Sequence, residues 1–226
     1  MNAKIKKLIK DNKFLYLPIK KKNEYQEKKR IKKFQQIGYQ LNQEIYDALD
    51  GAGFEYYIGA GGLLGLVREG GFLKYDDDLD YFIKMPDANG WAKLTRLLED
   101  AGFHMMHFFF GDNKILEIAF QKEGIQVDFI GLFLKNDDVM YYYSLYREKG
   151  VAYSSEEVST AMTYLENLEN FEEKEVNGSI FMIPKEWEKV LIAAYGESWR
   201  TPIKNFSWKD LKELHPEIIT HKYILK

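Results

Sequence analysis

At 226 residues, with 46% hydrophobic and 15% aromatic content, the chain is long enough for one sizeable domain with a packed core. It contains no cysteine, which excludes disulfides, a thiolate zinc site and a cysteine nucleophile, and it has no run of about 18 apolar residues to span a bilayer as a helix. Net charge is −3, but residues 1–33 hold 13 Lys and Arg against three Asp and Glu, whereas the remainder holds 19 against 32. Such a basic arm on an acidic body either seeks anionic lipid or a polyanionic glycan, or pairs with the protein's own acidic face. The acidic body would repel a phosphate backbone, which argues against nucleic acid as a partner. The N-terminus lacks the apolar core of a signal peptide, so a cytoplasmic location is expected, with membrane association through the arm.

Taken in order, the Lys-rich residues 1–22 are expected to form a short amphipathic helix around Ile5, Leu8 and Ile9, then an extended strip, Phe14 to Leu17, before Pro18. Residues 24–50 read as a long helix, with Ile31, Phe34, Ile37, Leu41, Ile45 and Leu49 recurring every three or four positions; Gly51 and Gly53 end it. Phe54 to Ile58 is a buried strand. Gly59, Gly61 and Gly62 turn the chain into a short helix, Leu63 to Glu69, which Gly70 and Gly71 terminate. A second strand enters through Asp76-Asp77-Asp78 and carries Asp80 between Leu79 and Tyr81. Pro86 and Asp87 start a helix that runs to about Asp100. Strands are expected at 103–110, 114–120 and 125–134, with turns at Gly111-Asp112-Asn113 and at Gln121 to Gly124. His104 and His107, three apart on a strand, point opposite ways and do not share a metal. Tyr141 to Tyr143 and their neighbours form a further strand or a strand-to-helix turn, and Ser154-Ser155-Glu156-Glu157 reads as a helix start leading to about Glu169. Phe171 to Val176 and Ser179 to Ile183 form a hairpin across Asn177-Gly178, and Pro184 opens a helix ending at Gly196. The class is α+β: one domain over residues 1–226, with a basic arm at 1–35 and a C-terminal hairpin and helix.

The chemistry concentrates in residues 54–84. A glycine turn opening a helix leaves unpaired N–H groups at the positive end of the helix dipole, which suits an anion. Side chains alternate along a strand, so Asp78 and Asp80 share a face, and Asp76 joins them if the strand starts early enough. Carboxylates so placed repel one another unless a cation lies between them, and oxygen ligands suit Mg²⁺ or Mn²⁺. An EF-hand reading of Asp76, Asp78, Asp80 and Asp87 fails because Tyr81 stands where the loop requires glycine. Asp128 is a lone acid in the apolar strand Ile125 to Ile130, and it is expected beside Asp78 and Asp80 as a third carboxylate; the alternative is an aspartate satisfied by a local hydrogen-bond partner.

The string Gly61-Gly62-Leu63-Leu64-Gly65-Leu66-Val67-Arg68, then Gly71-Phe72, then Asp76-Asp77-Asp78-Leu79-Asp80 resembles the signature of the LicD family, which includes bacterial phosphocholine transferases and fukutin-related proteins. The proline-led segment from Pro184 to Tyr195-Gly196, Trp199 and Pro202 is similar to that family's C-terminal pattern, so the resemblance covers roughly residues 38–203. It implies a nucleotidyltransferase-like mixed sheet flanked by helices. It also implies an enzyme that moves phosphocholine, ribitol phosphate or glycerol phosphate from a CDP-linked donor onto a cell-surface glycan. On that reading Asp78, Asp80 and Asp128 hold Mg²⁺ or Mn²⁺. Asp128, or Asp76 as second choice, takes the acceptor's proton, and Gly61, Gly62, Arg68 and Lys74 contact the donor phosphates. Three features depart from the family pattern: Gly62 replaces a small hydroxyl residue, Lys74-Tyr75 replaces Pro-Trp, and the basic arm has no counterpart. Two rival readings remain, an NTP-dependent nucleotidyltransferase on the same fold and a non-catalytic domain that binds glycan or nucleotide.

Overall fold

The computed structural model describes residues 13–84, 87–146, 157–203 and 218–222. Its elements in chain order are α1 (Lys13–Leu49), β1 (Tyr56–Ile58), α2 (Ala60–Arg68), β2 (Asp78–Lys84), α3 (Ala88–Asp100), β3 (His104–Gly111), β4 (Lys114–Lys122) and β5 (Ile125–Leu134). There follow β6 (Val139–Tyr146), β7 (Glu157–Glu166), β8 (Phe171–Val176), β9 (Ser179–Pro184), α4 (Trp187–Tyr195) and β10 (Ile218–Lys222).

Eight strands make one mixed sheet that forks at β5. On one branch the order is β1-β2-β5-β4-β3; on the other, β5 passes through β6 and β7 to β10. β2 and β5 run parallel and every other pairing is antiparallel. β8 and β9 form a separate hairpin, turned by Asn177 and Gly178 at φ 52 and 75, the left-handed geometry that asparagine and glycine tolerate best. The fold is thus the expected α+β arrangement, a mixed sheet with helices packed against it.

The apolar stripe of α1 does what its period requires. Phe34, Leu41, Ile45 and Leu49 are buried in the main core with Tyr57, Ile58, Ile83 and Phe129, while residues 20–30 are exposed. Asn42, buried on the same helix, donates to Ser179 Oγ and to the Ile180 carbonyl, each at 2.7 Å, and accepts from the Tyr81 hydroxyl at 2.7 Å. One side chain therefore ties α1 to β2 and β9. Two cations of the basic segment pair with the acidic body, Arg30 with Asp77 and Lys33 with Glu123.

Several elements differ from the sequence expectation. The helix expected from residue 24 is continuous from Lys13, with Pro18 inside it; the apolar residues at 5, 8 and 9 lie outside the described residues. α2 begins at Ala60 rather than Leu63, so Gly61 and Gly62 form its first turn and Gly59 is the residue that turns the chain. The stretch 157–166, expected to be helical, is strand β7, hydrogen-bonded to β6 and β10. Sheet pairing on both sides outweighs the weak local preference suggested by the acids at 156 and 157. Pro184 is the last residue of β9, paired with Phe171, and the following helix starts at Trp187. β10 falls in a segment for which no strand was expected. Asp87 caps α3 as anticipated, accepting from the Gly90 N–H at 2.9 Å; Pro86 lies outside the described residues.

Candidate active site

The register of the parallel pair brings the acids together. Asp80 stands opposite Asp128, and Asp78 stands opposite Gln126. Partners in a parallel ladder leave the same face of the sheet with their backbones about 5 Å apart, so Asp78, Asp80 and Asp128 share one face across β2 and β5. Gln126 Nε2 donates to both carboxylate oxygens of Asp128, at 3.1 and 2.8 Å.

The Asp76-Asp77-Asp78 triplet divides. β2 starts only at Asp78. Asp76 lies in the preceding turn, its N–H donating to the Leu73 carbonyl at 3.0 Å. Asp77 pairs outward with Arg30. Asp76 folds back over the start of α2, where a methyl group placed on Gly61 would sit 2.9 Å from Oδ1; glycine is what allows this carboxylate so close to the helix. Asp76 Oδ2 is buried with no hydrogen-bond partner among the described residues.

The glycine bend abuts this corner. The N–H of Leu63 donates to the Gly59 carbonyl at 3.0 Å, which leaves the N–H groups of Gly61 and Gly62 ahead of the first intrahelical bond. Ala60 holds φ at +44, a left-handed conformation unusual for a residue with a Cβ. Behind the bend, a methyl on Gly65 would meet the Gly71 carbonyl at 2.5 Å. The close packing of α2 on the 71–76 loop is what carries Asp76 to the helix start. α1 fixes the same loop: Gln35 donates to the Leu73 carbonyl at 2.9 Å and Tyr39 accepts from the Phe72 N–H at 3.1 Å. A hydroxyl-bearing residue at 62 would press on the Ile58 side chain, whose Cδ1 lies 2.7 Å from where a Cβ would be.

One acid of this face was not anticipated. β4 runs antiparallel beside β5 with Ala119 opposite Asp128 and Glu117 opposite Ile130. Glu117 is therefore two residues along on the same face as Asp128. Its signal in the sequence is the one that marked Asp128, a lone acid between apolar strand residues (Leu116 and Ile118).

These groups suppress one another's ionisation. Burial, then the charge of Asp78, pushes the Asp76 carboxyl up to about 7. Burial and Asp77 push Asp78 up to about 6, against a downward pull from Arg30. Glu117 is pushed up to about 8 by burial and by Asp80. Asp80 and Asp128 are raised well above the usual carboxylate range, by burial first and then by neighbouring carboxylates. As positioned, no three acidic or histidine side chains among the described residues are close enough to hold one ion. The donor set nonetheless fits a hard divalent cation chemically: it is all oxygen, it is desolvated, and one Asp76 oxygen lacks a partner.

The remaining expected phosphate contacts lie apart from the bend. Arg68 is at the far end of α2, about 10 Å along the helix from Gly61, where it donates to Glu69 at 3.0 Å and to the Trp199 carbonyl at 3.3 Å; its charge still reaches Asp76. Lys74 is exposed on the turn before Asp76. His107 lies on β3 opposite Ala119. No helix among the described residues is long and apolar enough to cross a membrane.

Residues 53–178 match the family model described as LicD/FKTN/FKRP, nucleotidyltransferase domain. The chain is 24% identical over 177 residues to proteins named ribitol-5-phosphate transferase FKTN from Macaca fascicularis and Homo sapiens, covering 78% of this chain and 36% of each relative. An uncharacterized protein, RT0683, of Rickettsia typhi is 32% identical over 81 residues, covering 36% of this chain and 25% of that protein. The chain thus spans about a third of the length of the transferases it matches. With the family match running through the glycine bend, both acid-bearing strands and Glu117, the chain belongs to the LicD/FKTN/FKRP family of nucleotidyltransferase-fold domains.

Proposed function

We propose that the protein is a divalent-metal-dependent phosphotransferase that moves a phospho-alcohol from a CDP-linked donor onto a glycan hydroxyl. The observation that carries this reading is the in-register pair Asp80–Asp128, with Asp78 on the same face and Asp76 against Gly61. Family membership supports it, as do relatives named ribitol-5-phosphate transferase.

In this reading the N–H groups of Gly61 and Gly62 receive oxygens of the donor pyrophosphate at the positive end of α2. Mg²⁺ or Mn²⁺, held by Asp78, Asp80 and Asp128, would neutralise charge on the phosphates when bound. The acceptor hydroxyl oxygen attacks the phosphorus that bears the alcohol; the bond from that phosphorus to the bridging oxygen breaks, and CMP leaves. Asp128, with Asp76 as the alternative, takes the hydroxyl proton. The protein contributes mainly alignment and charge complementarity, as in other phosphoryl transfers.

The test is incubation with a panel of CDP-choline, CDP-ribitol and CDP-glycerol, Mg²⁺ and acceptor glycans, with CMP as the readout. Asp80→Asn should lower CMP release by at least about a hundredfold while leaving the circular dichroism spectrum unchanged. Release of pyrophosphate from NTPs, with none of CMP, would instead assign the chain to nucleotide transfer. Undiminished turnover in Asp80→Asn would defeat the metal-site assignment.

A further inference from the structure

The N-terminal part of α1 stands off the body. Residues 21–30 are exposed all round the helix, and Phe34 is the first of its described side chains to be buried. Packing against the sheet therefore does not dictate which residues occupy this stretch. Between Lys20 and Lys33 it carries eight Lys and Arg against two Glu. Three of these cations are paired: Lys20 with Glu24 one turn on, Arg30 with Asp77, and Lys33 with Glu123. Lys21, Lys22, Lys28, Lys29 and Lys32 pair with no acid among the described residues. The protein's own acidic surface thus claims Arg30 and Lys33 and leaves these five lysines to solvent.

The signs are sorted around the helix. At 3.6 residues per turn, Lys21, Lys22, Tyr25, Lys28, Lys29 and Lys32 fall within an arc of about 120°. That arc faces away from the side on which Phe34, Leu41 and Ile45 enter the core. Glu27 precedes Phe34 by two turns and Glu24 precedes Glu27 by one, so both acids lie outside the arc, toward the core side. Solubility would be served by charges of either sign. A strip of one sign, about 17 Å from Lys21 to Lys32 at 1.5 Å per residue, can instead meet a flat anionic surface along its whole length. The apolar content points the same way. Tyr25, within the arc, is 66% exposed, and Leu17, at its edge, is 46% exposed. A tyrosine ring is favoured at the boundary between headgroups and hydrocarbon, whereas a soluble polyanion offers it no such boundary.

We propose that this face of α1 docks on an anionic lipid surface, the lysines meeting headgroup phosphates and Tyr25 settling at headgroup level. Groups of roughly four to eight cations on a helix are what such surfaces attract. The rest of the chain, with 19 Lys and Arg against 32 Asp and Glu beyond residue 33, is repelled by the same surface, so the molecule is oriented with α1 toward the lipid. Arg30 belongs to the docked helix, and its partner Asp77 adjoins Asp78. Docking therefore brings the acid-bearing corner alongside the surface. Nothing in the docking depends on the transferase reading.

The experiment is co-flotation of the full chain with vesicles of phosphatidylcholine alone, or with about 30% phosphatidylglycerol, as salt rises from about 50 to 500 mM. Binding should require phosphatidylglycerol and should be lost at the higher salt. Each lysine near such a surface is worth about fivefold, so the triple change Lys28→Gln, Lys29→Gln and Lys32→Gln should weaken binding on the order of a hundredfold. These side chains are exposed, and the circular dichroism spectrum should not change. A control of equal net charge, Lys135→Gln, Lys174→Gln and Lys185→Gln, should bind as the wild type does. Tyr25→Ala should weaken vesicle binding severalfold and leave binding to dextran sulfate, a soluble polyanion, unaltered. Absence of binding to the phosphatidylglycerol vesicles, equal binding to phosphatidylcholine alone, or equal losses in the two triple variants would each overturn the proposal. Dextran sulfate bound as tightly as vesicles, with Tyr25→Ala without effect on either, would assign the stripe to a soluble polyanion instead. Asp80→Asn should still bind vesicles, which keeps this outcome separate from that of the transfer assay.

Discussion

Each carboxyl group on the β2–β5–β4 face makes its neighbours harder to ionise, and the effect couples the site to stability. The folded-state values of Asp76, Asp78 and Glu117 lie near 7, 6 and 8, above the roughly 4 of an unfolded carboxyl. Between those limits the folded protein binds more protons than the unfolded chain, so stability is fully present at low pH and is lost as pH rises through about 6 to 8. In EDTA, the melting temperature should therefore fall between pH 5 and pH 8. Millimolar Mg²⁺ should restore it at pH 8 and do little at pH 5. Glu117→Gln removes one half-buried charge and should raise the metal-free melting temperature at pH 8 by about 2–4 °C, roughly 1 kcal/mol. It should also reduce the stabilisation that Mg²⁺ gives. A melting temperature independent of pH in EDTA would contradict the assigned repulsion. At this scale the sequence made Asp78, Asp80 and Asp128 legible, because strand alternation and a lone acid in an apolar run are local features. Whether Glu117 faces the site depends on β4 lying beside β5, which is a matter of topology. The outward turn of Asp77 depends on Arg30, 47 positions away.

Among the elements, α1 is the brace. Gln35, Tyr39 and Asn42 reach from three successive turns to the loop before β2, to β2 itself and to β9. Asn42→Leu would leave the Tyr81 hydroxyl and the Ser179 side chain buried without this partner. A loss of about 2–4 kcal/mol is expected, readable as an earlier urea midpoint at unchanged slope. The amphipathic part of α1, the type of β1 to β5 and the Asn177-Gly178 hairpin could be read from periodicity and turn residues. β7 could not, because Val158 to Leu165 carries a mixed pattern that only its two neighbouring strands resolve. The start of α2 was displaced by one turn for a different reason: Ala60 takes a left-handed φ that its side chain does not advertise.

For the molecule as a whole, the fork at β5 separates two kinds of structure. The branch β1-β2-β5-β4-β3 carries Asp78, Asp80, Asp128 and Glu117, and the β6-β7-β10 wing joins it through Phe133 opposite Tyr141, Leu134 opposite Met140 and the packing of Tyr142 on Phe82. α4 packs on β7, while α2 packs on β2. α4 also touches α2, and Arg68 of α2 donates to the Trp199 carbonyl just beyond α4, which ties the two branches across this seam. The wing is thus fastened to the acid-bearing branch at several points and shares its core, so the sheet moves as one body. Added Mg²⁺ should therefore slow amide exchange in β2 and β5, which carry Asp78, Asp80 and Asp128, and in β6 and β7 to a lesser degree; equal slowing throughout would point to global stabilisation instead of ion binding at these acids.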